Sequence, residues 1–165
     1  MVKGTLAVTA LLRDKGFKVT PQRLAIYDML ARTKSHPSAE MIFAELEPMY
    51  PTMSLATVYK TIDILHEVGL VQILNVGEDS FRYDACTDNH PHIRCLVCGR
   101  VDDLEGIDLE PLIAAAAAKT NYNLTGQQFY FFGTCPDCQK QGKTAAAGAE
   151  LNRSTSLLPK GINQN

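Results

Sequence analysis

Tryptophan is absent, and long blocks of apolar or like-charged residues are scarce among the 165 positions. No run approaches the roughly 18–20 apolar residues of a membrane span, so no membrane partner is expected. Residues 1–13 hold only a short apolar stretch, broken by Thr5 and Thr9, without a small-residue cleavage pattern. A secretory leader is not expected from it. No substrate-pocket motif or positioned nucleophile stands out, so catalysis is not expected either. A composition of 45% hydrophobic and 21% charged residues is that of ordinary globular protein, not of a disordered or fibrous chain. The length allows one domain or two small ones.

Net charge is also nearly absent, at −2, but it is unevenly spread. Residues 1–34 hold seven Lys and Arg against Asp14 and Asp28, whereas the stretch from there to residue 82 is net acidic. A basic patch inside a neutral protein can steer toward phosphate, although a solvated helix face has the same composition. Cysteine usage points the same way as the missing leader. Four of five cysteines form Cys95-x-x-Cys98 and Cys135-x-x-Cys138, leaving Cys86 over. An odd count in this arrangement fits a reducing cytoplasm and a bound metal better than a disulfide framework.

The hydrophobic pattern predicts helices first. Leu6, Leu11 and Leu12 mark one that ends before Gly16. Thr20-Pro21 starts a second, with Thr as N-cap and Pro at the first helical position. Ser38 starts a third that stops near Pro48–Pro51, and Ser54 a fourth that runs to Val68 with Gly69 as its stop. Residues 70–76 and 81–84, split by the polar turn 77–80, read as a hairpin. Helices, then a helix of exposed Thr57, Lys60 and Thr61, then a hairpin describe a winged helix-turn-helix, whose last helix enters the major groove. Any small α+β domain is the plainer alternative. Residues 85–92 read as a hinge. Strands follow at 92–97 and 101–104, a helix at 108–119 and an apolar strand at 128–133. A unit of this size needs a staple and a partner subunit. The division is therefore 1–84, a winged-helix domain; 85–92, a hinge; 93–142, a small α/β dimerisation domain; and 143–165, a mobile tail. The fold class is α+β.

Two sets of side chains suit metals. Two CxxC knuckles can converge as the tetrahedral thiolate shell that Zn²⁺ favours, and a closed shell of this kind is structural. A redox dithiol is the alternative. The second set is His36, Asp84, His90, His92 and Asp103, all imidazole or carboxylate, which suits Fe²⁺, Mn²⁺ or Zn²⁺. His90-x-His92 in a strand-like segment would put both rings on one side. His36 lies in the first half and Asp103 in the second, so one ion would tie the halves together.

Val19-Thr20-Pro21-Gln22-Arg23, Ser54-Leu55-Ala56-Thr57-Val58-Tyr59, Gly69-Leu70-Val71, Arg82-Tyr83-Asp84, His90-Pro91-His92, Cys95-Leu96-Val97-Cys98-Gly99 and Cys135-Pro136-Asp137-Cys138 resemble the ferric uptake regulator family over about residues 5–140. The resemblance implies a cytoplasmic homodimeric repressor that binds palindromic double-stranded DNA. It implies structural zinc on Cys95, Cys98, Cys135 and Cys138, and regulatory Fe²⁺ or Mn²⁺ on His36, Asp84, His90, His92 and Asp103. Within the family the chain looks most like the peroxide-responsive branch, because Asp103 stands where the iron-uptake branch usually has Glu. That branch implies release from DNA by metal-catalysed oxidation of His36 or His90. The alternative is an iron-responsive repressor acting by reversible metal binding. The resemblance also implies DNA contacts by Lys18, Arg23, Thr57, Tyr59 and Lys60, and no small-molecule substrate beyond peroxide as signal.

Overall fold

The computed structural model describes residues 2–77 and 81–144. The middle of the hairpin turn and most of the proposed tail lie outside the described residues. Helix α1 (Thr5–Asp14) buries Val8 and Leu12, one turn apart, and leaves Leu6 exposed. Helices α2 (Pro21–Arg32), α3 (Ala39–Leu46) and α4 (Leu55–Glu67) each open on a hydroxyl cap. Thr20, Ser38 and Ser54 accept the backbone N–H of Arg23, Met41 and Thr57 respectively. Each such cap is worth about 1 kcal/mol, so three side chains set where three helices begin. Helix α4 passes into Gly69, whose φ of +70° is the left-handed turn a Cβ disfavours.

One core holds these helices together. Ile26, Tyr27 and Leu30 of α2, Ile42 and Leu46 of α3, and Val58, Ile62 and Leu65 of α4 are all buried in it, with Leu70, Val71 and Tyr83 closing it below. Strand β1 (Gln72–Asn75) pairs antiparallel with β2 (Phe81–Asp84), and the register sets Gln72 opposite Asp84. This hairpin is the wing. Thr61 departs from the expected exposed face: it is buried at 2% exposure, because it lies beside Ile62 on the side of α4 that meets the core. Thr57 is half-buried, and Lys60 is exposed as expected.

The second half is a three-stranded sheet. Strand β3 (His92–Cys95) is central, antiparallel to β4 (Val101–Asp103) and parallel to β5 (Tyr130–Gly133). Helix α5 (Glu110–Ala117) connects β4 to β5 and buries none of its side chains. Helix α6 (Pro136–Lys140) carries Cys138 inward. Both α5 and β5 are shorter than the apolar pattern predicts; α5 packs no buried side chain, so only intrinsic propensity supports its ends, and those fray. Phe131, Phe132, Leu112 and Leu124 stay exposed on this half. The fold is α+β, an N-terminal winged helix-turn-helix followed by a small α/β unit.

The halves meet through a few contacts. Leu74 and Val76 from the wing pack with Val101 and Tyr130. Arg94 Nη1 donates to the Val76 carbonyl at 2.8 Å, and Arg82 Nη2 to the Gly99 carbonyl at 3.3 Å. Lys34 and Glu105 form an exposed ion pair at 2.6 Å, a contact that solvent weakens heavily.

Candidate functional site

Both metal-type sets converge. Cys95 closes β3, Cys98 lies on the turn after it, and Cys135 and Cys138 begin and line α6. Their four sulfurs all lie within 4.8 Å of one another. Gly99 permits the first turn with φ of +73°, and its N–H bonds the Cys95 carbonyl at 2.9 Å. The backbone N–H of Cys135 donates to Cys95 Sγ at 3.2 Å. Burial opposes ionisation of Cys95, but that N–H and those of Cys98 and Val97 outweigh it and bring the thiol down to about 6. Cys138 moves the other way, first through burial and then through the neighbouring thiols. Four thiols crowded so that one sheds its proton easily are the donor set a divalent cation neutralises. Cys86 lies apart from the cluster, half-buried.

The second set is assembled from four places in the chain. His36 sits between α2 and α3, Asp84 ends β2, His92 begins β3 and Asp103 ends β4. The β3–β4 register places His92 directly opposite Asp103. His90 precedes β3 in irregular chain rather than in a strand, yet its ring lies 4.4 Å from that of His92, centroid to centroid. One ring nitrogen of each of the three histidines and one oxygen of each carboxylate fall within 4.8 Å of one another. His36 Nε2 is 2.9 Å from Asp103 Oδ1, and His90 Nε2 is 3.0 Å from the same oxygen and 3.3 Å from Asp84 Oδ2. Neighbouring Asp102 turns away to Arg100 at 2.8 Å.

His36 is held unusually. Its φ of +46° makes it the one non-glycine residue in the left-handed region among the described residues, and proline follows it. Such a conformation stores about 1–3 kcal/mol and persists only where the surroundings enforce it. The ring is buried, and Nδ1 donates to the Val101 carbonyl at 3.3 Å, which leaves Nε2 facing the carboxylates. That donation to a carbonyl is the support that metal-binding histidines commonly use. Burial pulls the His36 pKa down, but Asp84 and Asp103 overcome it and the net shift is upward. Burial pushes the Asp84 carboxyl up, but His36, His92, the Cys86 N–H and Gln72 hold it well below the usual carboxylate range.

The fit to a cation rests on one atom above all. His92 Nε2 is buried with no hydrogen-bond partner, and it points into this cluster at 3.6 Å from Asp103 Oδ1 and 3.7 Å from Asp84 Oδ2. A buried polar atom left unpaired costs about 1–3 kcal/mol, and a bound ion would remove that cost.

Three of the predicted DNA-contact residues, Arg23, Thr57 and Lys60, lie together. The N-termini of α2 and α4 border an open recess of about 280 Å³, lined by Arg23, Thr57 and Lys60 among others. Arg23 donates to the Lys18 carbonyl. Tyr59 is exposed at 41%, and its hydroxyl donates to Glu40 Oε1 at 2.6 Å. Glu40 and Gln72 contact predicted site residues but carry no motif signal. Only the cross-strand register could have exposed Gln72.

Residues 14–132 match the Ferric uptake regulator family. The chain belongs to that family. Its relatives include the Clostridium acetobutylicum transcriptional regulator PerR, 48% identical over 80% of this chain and 96% of its own length. The Staphylococcus saprophyticus peroxide-responsive repressor PerR is 36% identical, covering 78% of this chain and 86% of its own length. Among solved structures, the Campylobacter jejuni peroxide stress regulator is 30% identical, covers 82% of this chain and all of its own, and superposes with a TM-score of 0.64. Among the described residues of this ferric uptake regulator family member, no helix is long and apolar enough to cross a membrane.

Proposed function

We propose that this chain is a metal-dependent, peroxide-sensing transcriptional repressor that binds a palindromic operator as a homodimer and is not an enzyme. The observation that carries it is the five-residue cluster, drawn from both halves, in which the buried Nε2 of His92 faces two carboxylates without a hydrogen bond. Relatives named as peroxide-responsive repressors support the signal. The domain division proposed is 1–84 for DNA binding, 85–92 as hinge and 93–142 for dimerisation.

Cys95, Cys98, Cys135 and Cys138 would hold a structural Zn²⁺, and His36, Asp84, His90, His92 and Asp103 a regulatory Fe²⁺ or Mn²⁺. Ferrous iron supplies a reductant for hydrogen peroxide when bound, whereas manganese does not under the same conditions. His36 and Asp84 reach the cluster from the DNA-binding half, His90 and His92 from the hinge segment and the strand it leads into, and Asp103 from the other half. Holding all five together fixes the angle between halves, and so the spacing of two recognition helices on half-sites. His36 and His90 are the rings proposed to take up oxygen. An oxidised imidazole is a poor ligand, so the halves lose their tie. On DNA, Tyr59 and Lys60 face the bases, Thr57 and Arg23 the phosphates, and Lys18 the adjacent minor groove. The exposed Phe131, Phe132 and Leu112 leave apolar surface on this half for a second copy to cover.

Peptide mapping by mass spectrometry tests the reading. Brief peroxide exposure of the Fe²⁺-loaded protein should add one oxygen to His36 or His90, with operator binding falling in step. The Mn²⁺-loaded protein should stay unmodified. Oxidation confined to cysteines, with both histidine peptides intact while DNA binding is lost, would replace this mechanism with a thiol switch. Peroxide without effect, alongside release by chelator alone, would favour the iron-responsive alternative.

A further inference from the structure

Gln72 opens β1 directly across the hairpin from Asp84. Its side chain is half-buried, and its amide nitrogen donates twice: to Asp84 Oδ2 at 2.8 Å and to the Cys86 carbonyl at 2.7 Å. Both partners only accept, so chemistry dictates which end of the amide faces them. Asp84 Oδ1 meanwhile accepts the backbone N–H of Cys86 at 2.7 Å. The carboxylate is therefore gripped at both oxygens. Oδ1 is turned to the backbone, and Oδ2 alone faces the imidazoles, at 3.3 Å from His90 Nε2 and 3.7 Å from those of His36 and His92.

We propose that Gln72 is a positioning residue that locks Asp84 as a one-oxygen ligand and thereby favours a hard cation of the Mn²⁺ kind over Zn²⁺ at the hinge cluster. This rests on reading that cluster as a metal site. The argument is one of ligand count and type. Three imidazoles and one further donor already satisfy the four positions Zn²⁺ prefers. Mn²⁺ needs more donors, and carboxylate oxygen is the type it prefers. A carboxylate free to swing costs the second cation more than the first. Gln72 is neutral, so it adds nothing to the attraction of either ion and acts through orientation alone. Its two donor hydrogens are both committed, one to the ligand and one to the chain beyond the strand, which fixes the plane of the carboxylate against β1.

The full chain, with its cysteine site filled with zinc, is titrated with Mn²⁺ and separately with Zn²⁺ against a chromophoric chelator. Gln72→Met keeps the length and removes the donors. Mn²⁺ affinity should fall about tenfold, the lower end of what supporting residues around metal ligands contribute. Zn²⁺ affinity should fall by less than roughly threefold, since its shell is complete without a fixed Asp84. The zinc content at the four cysteines and the melting temperature of the hinge-metal-free chain report whether the fold is kept. If the Met variant loses its fold, Gln72→Ala removes the donors without bulk and carries the same comparison. Equal losses for both cations would reduce Gln72 to a structural role, and no loss for either would overturn the proposal. A wild-type chain that takes up no second cation would overturn the cluster's reading itself. That outcome is distinct from a wild type that binds and a variant that binds equally well.

Discussion

Replacing Cys135 with Ser should unfold one half of this protein and spare the other. The second half has little else to hold it. Its fully buried apolar side chains are Val101 with Leu74 and Val76 borrowed from the wing, and α5 buries nothing. Three aliphatic side chains contribute roughly 5–9 kcal/mol at about 1.5–3 kcal/mol each. A four-thiolate zinc shell contributes about 10–16 kcal/mol of folding free energy in small domains. The metal term is the larger, and it depends on all four sulfurs lying within 4.8 Å of one another. The backbone N–H of Cys135 that donates to Cys95 Sγ is kept in the Ser variant, so the substitution removes one sulfur from the cluster and leaves that contact in place. Zinc content measured by mass spectrometry should fall to near zero, and the dimer should dissociate on a sizing column. Amide exchange should accelerate across β3, β4 and β5. The amides of α2, α3 and α4 should keep their protection, because Ile26, Ile42, Val58 and Leu65 pack in a separate core. Cys86→Ser, outside the cluster, should change none of these. A Cys135→Ser protein that stays dimeric with unchanged exchange over residues 92–95 and 130–133 would refute the reasoning.

Lys60→Ala should relax base preference, whereas Arg23→Ala and Lys18→Ala should weaken binding to every sequence and lower the salt slope by about one each, read by anisotropy titration. Equal loss on all sequences for Lys60→Ala would remove that residue from base reading. Burial, with the charges of Tyr59, Glu40 and Asp63 adding to it, pushes the Tyr83 phenol up to about 12. Its folded pKa lies above the unfolded value of about 10, so its contribution is complete below pH 10 and is lost as pH rises toward 12. Stability should drop across that window by no more than roughly 3 kcal/mol. Tyr83→Phe should flatten the drop in alkaline denaturant melts; an unchanged slope would assign it to other groups.

What the sequence made legible follows from local chemistry. Thr20, Ser38 and Ser54 cap the helices they were expected to start, because a hydroxyl satisfying an N-terminal N–H is a contact three residues long. The cysteine cluster was legible for a similar reason: each CxxC pair fixes half of a tetrahedral shell within a single turn. Thr61 was misread because a β-branched polar residue one step from Ile62 carries no mark of which way it faces. His90 was expected in a strand; it reaches His92 from irregular chain instead, because Pro91 withholds a strand hydrogen bond. Gln72 and Glu40 were invisible. Their roles depend on a hairpin register and on a helix–helix approach, and neither leaves a spacing rule in one chain.

On the proposed function, the backbone at His36 offers a route from a metal at the hinge to helix α4. His36 lies where α2 hands over to α3, and α3 supplies Glu40, which holds the Tyr59 hydroxyl on α4. A change in the hold on His36 is therefore applied at the start of the element that positions Tyr59. The left-handed conformation there is costly by itself, and the buried hydrogen bond from Nδ1 to the Val101 carbonyl ties it to the other half. Apart from that bond, the halves share a small apolar patch and a few polar contacts, among them Arg82 to Gly99 and the exposed Lys34–Glu105 pair. With contacts this few between the halves, the proposed ion need supply only a modest preference to set their relative orientation. Coupling of about 1–3 kcal/mol, five- to 150-fold in affinity, is the usual scale for such linkage. On the proposed function, losing one imidazole from the five-residue shell would lower that coupling, since an ion shifts the balance only by its differential affinity for the two orientations.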